Sequence, residues 1–314
     1  MTAAESPVLE IVELGRVWQT VDPFLFCVHH DDDYPEGDEE LGPCAPLTGR
    51  NIGMDFSGRD GWSMYHGSKL PGFPQHPHRG FETISFMRNG FMDHSDSLGA
   101  AARFGRGDVQ WMTAGEGIVH AEMFPLLNKD EHNETELFQI WINLPASDKM
   151  VPPHFRMLWN HEIPQHTLLD QSGKPVTVTV VAGEVVPGQR APKPPPHSYA
   201  SRSDSDVQIW HLAFEDGASW TLPRGGYDDT VRVVYVFGDG SLRIGQTVYV
   251  ERDSQKAIVL GRGGALVREI SAAARSEIAE ILDRKVHLFL FVKVRQKWGE
   301  DPERYRTWGL DYDA

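Results

Sequence analysis

The chain has 314 residues, 40% of them hydrophobic and 24% charged, with a formal net charge of −15. That length suits about two domains with ordinary buried cores, and the acidic balance excludes a broadly basic nucleic-acid-binding surface, leaving only local basic patches. Two cysteines, Cys27 and Cys44, are too few for a disulfide scaffold and match no zinc spacing, which suits a reducing cytoplasm. The opening MTAAESPVLEIVELG lacks a basic segment followed by an apolar core, so no signal peptide is expected. No run reaches the ~18 apolar residues of a membrane span. A soluble, cytoplasmic, monomeric protein is the expectation.

In chain order, residues 8–145 read as short apolar or alternating runs broken by Gly, Pro, Asn and Asp: ETISFM before RNG, then DVQWMTAG, GIVHAEMF and LFQIWINLP. With 30 Gly and 21 Pro, this pattern predicts strands and hairpins of a closed or sandwiched β-domain. A second set follows, PVTVTVVAG, DVQIWHLAFEDGASWTLP and VRVVYVFGDG, interrupted by the Pro-rich VVPGQRAPKPPPHSYASRS, which cannot pair as a central strand. The last quarter changes character. DSQKAIVLG and ALVREISAAARSEIAEILDR predict helices, the second with Leu266, Ile270, Ile278, Ile281 and Leu282 at helical spacing, and KVHLFLFVKV predicts a strand. Residues 239–314 carry 13 Lys/Arg and 12 Asp/Glu, so the acidic excess lies in the β-rich part.

Two residue pairs carry chemistry. Residues i and i+2 of a strand point to the same face, so His76 and His78 in FPQHPHRGFETISF aim at one point. About forty residues on, GIVHAEM gives His120 and Glu122 the same relation. A lone His-x-His is more often a hydrogen-bonded pair than a metal site; a second pair at this spacing shifts the balance. Three imidazoles and one carboxylate suit Fe(II), Mn, Co, Ni or Cu with open positions for substrate and oxygen. Trp111, Met112, Phe81, Phe86 and Phe91 read as core or pocket wall, and Arg79 as an anion or salt-bridge partner. His94, His132, His154, His161, His166, His197 and His211 read as surface or hydrogen-bonding residues.

HPHRGFETISFMRNGFMDHSDSLG, GRGDVQWMTAGEGIVHAEMF and LFQIWINLPASDKMVPPHF together resemble pirin, a bicupin, over about residues 8–238. The resemblance implies a mainly β fold of two cupin-type β-barrels, residues 1–135 and a shortened 136–238. The metal, most often iron, is then expected in the first barrel on His76, His78, His120 and Glu122, with no metal in the second. Glu82 stands where a general cupin motif places a carboxylate ligand, and by the pirin pattern Glu122 takes that role instead. Some pirins resemble quercetin 2,3-dioxygenases, which implies O2-dependent cleavage of a flavonol or related phenolic with Glu122 as proton acceptor. Other pirins are non-enzymatic redox-sensing regulators, a second reading of the same ion.

The tail, DGSLRIGQTVYVERDSQKAIVLGRGGALVREISAAARSEIAEILDRKVHLFLFVKVRQKW, resembles the C-terminal α/β KH domain of the GTPase Era over about residues 239–309, giving a third domain, 239–314. Its signature is GRGG: Gly261, Arg262, Gly263 and Gly264. Glycines let an RNA backbone approach, helix-end N–H groups meet phosphate, and Arg262 adds positive charge, so single-stranded ribosomal RNA is the implied partner. Relative to that family, a first helix is missing, and VRVVYVFG stands where a first strand would. No G-x-x-x-x-G-K-[ST] occurs, so GTP hydrolysis is not expected.

Overall fold

The computed structural model describes residues 16–223, 232–237, 242–250, 253–260, 265–281 and 286–294. They fall into two compact units, one with residues 16–169 and 176–213, the other with residues 170–175 and those described from Phe214 onward. No helix among the described residues is long and apolar enough to cross a membrane.

The first unit is built on β-strands, with three single-turn 3-10 helices between them. Its strands begin with β1 (Val17–Trp18), β2 (Phe24–Tyr34), β3 (Gly72–His78), β4 (Phe81–Asn89) and β5 (Phe91–Asp96). They continue with β6 (Ala101–Gly105), β7 (Val109–Thr113), β8 (Ile118–Met123), β9 (Asn133–Asn143) and β10 (His154–Leu158). Two antiparallel sheets result, ordered β1-β2-β9-β4-β7-β10 and β3-β8-β5-β6. The two-sheet arrangement agrees with the expected mainly β class.

Local sequence explains the layers. Along β8, Ile118, His120 and Glu122 are buried while Val119, Ala121 and Met123 are half-buried, a strict period of two. β4 is buried on both faces from Glu82 to Met87, so one face lies between the sheets and the other under later chain. Gly90 turns β4 into β5 at φ 73°, and a Cβ there would sit 2.6 Å from Thr135 Oγ1. The principal apolar cluster joins Tyr34, Met87, Met92, Phe104, Phe124 and Leu137, each such side chain contributing roughly 1.5–3 kcal/mol.

The break expected at residue 135 falls inside β9. That strand is hydrogen-bonded to β2 on one side and β4 on the other, and β10 pairs with β7. A central strand needs partners on both edges, so we propose that the first β-domain ends after Leu158. Beyond it, β11 (Gln165–Leu169), β12 (Pro175–Ala182) and β13 (Ile209–Phe214) form a three-stranded sheet with β12 in the middle. Among the described residues this sheet is what stands in the expected second barrel. Residues 232–237, read as a strand in VRVVYVFG, form no strand, and Val233, Val234 and Val236 are exposed.

The other unit contains β14 (Leu242–Val250), α1 (Asp253–Leu260), α2 (Ala265–Ile281) and β15 (Val286–Val294). β14 and β15 pair in parallel from Leu242↔Val286 to Val250↔Val294. Parallel neighbours need a crossover, and the two helices supply it. Gly261–Gly264, the proposed RNA loop, and Leu282 lie outside the described residues. On α2, Leu266 is exposed and Ile270 half-buried.

Candidate metal centre

β3 and β8 set the centre. Their register places His76 opposite His120 and His78 opposite Ile118, with an irregularity between Phe73 and His76. β3 and β8 are neighbours in one sheet, so His76 and His78 on β3 and His120 and Glu122 on β8 project from the same face of it, toward the six-stranded sheet. The donor atoms of His76, His78 and His120 lie within 4.8 Å of one another. A second triplet within the same distance is His94, His120 and Glu122. His120 belongs to both, whereas Glu122 groups with His94 and His120 and not with His76 and His78.

The chemistry of this donor set fits a cation. Burial, reinforced by the neighbouring imidazoles, lowers the pKa of His78 and of His120 to about 3. Both rings are therefore neutral at pH 7 and carry a free lone pair. His76 Nδ1 lies 2.8 Å from the Pro74 carbonyl, which only accepts, so Nδ1 carries a hydrogen. Its Nε2 faces His120 Nε2, 3.0 Å away. A borderline divalent ion between imidazole nitrogens satisfies such an arrangement.

Glu122 is fully buried and held from the opposite sheet. Ser85 Oγ donates to Oε1 at 3.3 Å, Gln139 Nε2 donates to Oε2 at 2.9 Å, and Trp141 Nε1 donates to Gln139 Oε1 at 2.9 Å. These bonds draw the carboxylate toward the six-stranded sheet, while the β5–β8 register, which sets His94 opposite Glu122, groups it with His94 and His120. His76 is half-exposed, and a cleft beside His78 is lined by Pro77, Arg79, Ser97, Gly117, Ile118 and Val119. Arg79 reaches Met150 Sδ and is otherwise exposed to this region.

The structure sharpens two sequence readings. His94, read above as a surface or hydrogen-bonding residue, is buried on β5 directly opposite Glu122. The signal was present as His94-Ser-Asp96, a third i, i+2 pair whose carboxylate is aspartate. Trp111, read as core or pocket wall, lies on the outer face of the six-stranded sheet with Glu82, to which its Nε1 donates at 3.2 Å. Glu82 also accepts from Thr113 Oγ1 (2.6 Å), Ser198 Oγ (3.0 Å) and the Tyr199 amide (2.9 Å). It ties the Pro-rich segment to β4 and β7, pointing away from the three imidazoles. Burial raises its pKa, against the pull of those four donors.

Residues 8–142 match the family model described as Pirin, and residues 230–299 match the KH domain model. A Pseudomonas aeruginosa protein named "Putative quercetin 2,3-dioxygenase" is 35% identical over 189 residues, 59% of this chain and 62% of that protein. GTPase Era of Sinorhizobium medicae is 66% identical over 74 residues, 24% of each chain. A crystal structure of quercetin 2,3-dioxygenase from Acinetobacter baumannii aligns at 28% identity with a TM-score of 0.40, covering 55% of this chain and 49% of that one. The chain thus spans about three-fifths of the first relative and about a quarter of the second. Its N-terminal part is a Pirin domain, and a KH domain stands at its C-terminus.

Proposed function

We propose that the Pirin domain is a metal-dependent oxygenase of the quercetin 2,3-dioxygenase type, acting on a flavonol or related phenolic with O2. The observation that carries this reading is the convergence of three imidazoles, two of them held neutral by burial, beside a buried carboxylate and an open cleft. The ligands would be His76, His78, His120 and Glu122, with Fe(II) the expected metal and other divalent transition metals as alternatives. Bound there, the ion supplies Lewis acidity toward the phenolic oxygen and redox chemistry with O2.

The chain's own residues do the rest. Pro77, Ile118 and Val119 offer apolar surface for an aromatic ring, and Arg79 at the cleft rim favours an anionic phenolic. Glu122 takes the hydroxyl proton on a carboxylate oxygen, while Ser85 and Gln139 keep that carboxylate aimed. The open cleft supports an enzyme over a redox-sensing regulator, for which the ion can be walled off. The test is oxygen uptake on quercetin by iron-loaded protein, compared with His76→Ala. Turnover that vanishes in the variant supports the reading; equal turnover by metal-free protein overturns it.

For the KH domain we propose single-stranded ribosomal RNA binding through Gly261, Arg262, Gly263 and Gly264. The strand, two helices and strand around that segment support it. A salt-dependent gel shift lost in Gly263→Asp is the expected result; no binding at low salt overturns it.

A further inference from the structure

The strand β5 contributes a pair that neither the ligand set nor the cleft uses. Asp96 sits opposite His120 in the β5–β8 register, and His94 sits opposite Glu122. The side chains of both His94 and Asp96 are fully buried. Asp96 Oδ1 accepts the Leu98 amide at 2.8 Å and the Ala100 amide at 3.1 Å, closing the turn after β5. Its Oδ2 faces His94 Nε2 at 3.0 Å. On its far side, His94 Nδ1 faces His120 Nδ1 at 3.4 Å and Gln110 Nε2 at 3.3 Å. His94 also stacks on Phe155, ring centroids 4.5 Å apart, which fixes its plane.

With one hydrogen on His94 and one on His120, donor and acceptor rules match the Asp96, Gln110 and His120 contacts of His94 in one way. A carboxylate already accepting two amides accepts again, so His94 Nε2 carries a hydrogen. His94 Nδ1 then accepts, and both Gln110 Nε2 and His120 Nδ1 donate to it. With its hydrogen on Nδ1, His120 has its lone pair on Nε2, facing His76 Nε2. We propose that Asp96 and His94 are positioning residues that lock His120 in the tautomer able to bind the metal through Nε2. This rests on the reading of His120 as a ligand. Such partners orient a ligating imidazole and raise its basicity, and losing one costs about 10–100-fold in metal affinity.

The relay makes an inverted prediction for Asp96→Asn. The Leu98 and Ala100 amides hold the asparagine oxygen on their side, so its NH2 faces His94 Nε2. His94 must then carry its hydrogen on Nδ1 and donate to His120 Nδ1, which puts the His120 hydrogen on Nε2, in the metal's place. Long-range 1H–15N NMR on metal-free, histidine-labelled full chain reads this directly. Expected are Nδ1–H on His120 in the native protein and Nε2–H in Asp96→Asn. Alongside, titration with Co(II), followed by its visible bands, is expected to weaken about 10–100-fold in Asp96→Asn and in His94→Phe, which keeps the stack on Phe155.

Nε2–H on His120 in the native protein overturns the proposal, and that spectrum needs no variant to fold. Unchanged Co(II) affinity in both variants overturns it as well. If native protein shows Nδ1–H and the switch occurs in Asp96→Asn but Co(II) never binds, the relay stands and the metal reading fails.

Discussion

Two buried glutamates on opposite faces of the first β-unit invite comparison. Glu82 on β4 faces outward, Glu122 on β8 faces inward, and both are at most 2% exposed. A carboxylate offers about four acceptor sites. Glu82 has four donors, from Trp111, Thr113, Ser198 and Tyr199, so its capacity is spent. Glu122 has one donor on each oxygen, from Ser85 and Gln139, and retains acceptor capacity beside His120. Burial does not separate a staple from a candidate ligand; the groups that face the carboxylate do.

The sharpest way to break this contrast is His120→Ala, which removes the residue shared by both triplets. Metal analysis of the purified variant should find no retained transition metal, and oxygen uptake should fall to background; native metal content would collapse the inward half of the comparison. Next comes Glu82→Ala, which leaves four buried donors without an acceptor. At roughly 1–3 kcal/mol for each unsatisfied group, with partial relief by relaxation, urea unfolding should register a loss of about 4 kcal/mol. Its Co(II) stoichiometry should match the native protein, and loss of metal without loss of stability would reverse the two roles.

Asp32 extends the contrast to a poorly served carboxylate. It accepts from Tyr65 Oη at 2.6 Å and the Ser63 amide at 3.0 Å, and burial raises its pKa to about 6. A raised carboxylate stabilises the fold fully below its unfolded pKa of about 3.8 and loses that contribution as pH rises through about 6. Between pH 4 and pH 7, native protein should lose up to ~3 kcal/mol relative to Asp32→Asn. Parallel stability curves for the two proteins would show that Tyr65 and Ser63 serve the ionised form in full. The smallest effect is expected from Glu122→Gln, which keeps the contacts to Ser85 and Gln139. Its Co(II) Kd should weaken about tenfold, ~1.4 kcal/mol, with little change in unfolding midpoint.

The four proposed ligands were legible because each pair sits on one strand, where alternation alone tells which side chains share a face. Boundaries were less legible. LFQIWINLP reads as a strand, yet nothing in it says that β2 and β4 flank it, so a break at 135 looked reasonable. His94 and Asp96 were missed because their partner strand, β8, begins 22 residues after Asp96, and only pairing makes them neighbours of His120. Ser198 lies 116 residues from Glu82, a distance no local pattern bridges.

By itself, then, the sequence determined that His76 pairs with His78 and His120 with Glu122, that the chain is mainly β, and that its tail is of another kind. Those follow from backbone stereochemistry and composition, which act over a few residues. The tertiary structure decided that His76 faces His120, that His94 stands behind it, and that Glu82 is occupied elsewhere. Register is the reason: a one-residue slip of β3 or β5 against β8 turns every side chain to the other face, and register is set by packing across the whole sheet.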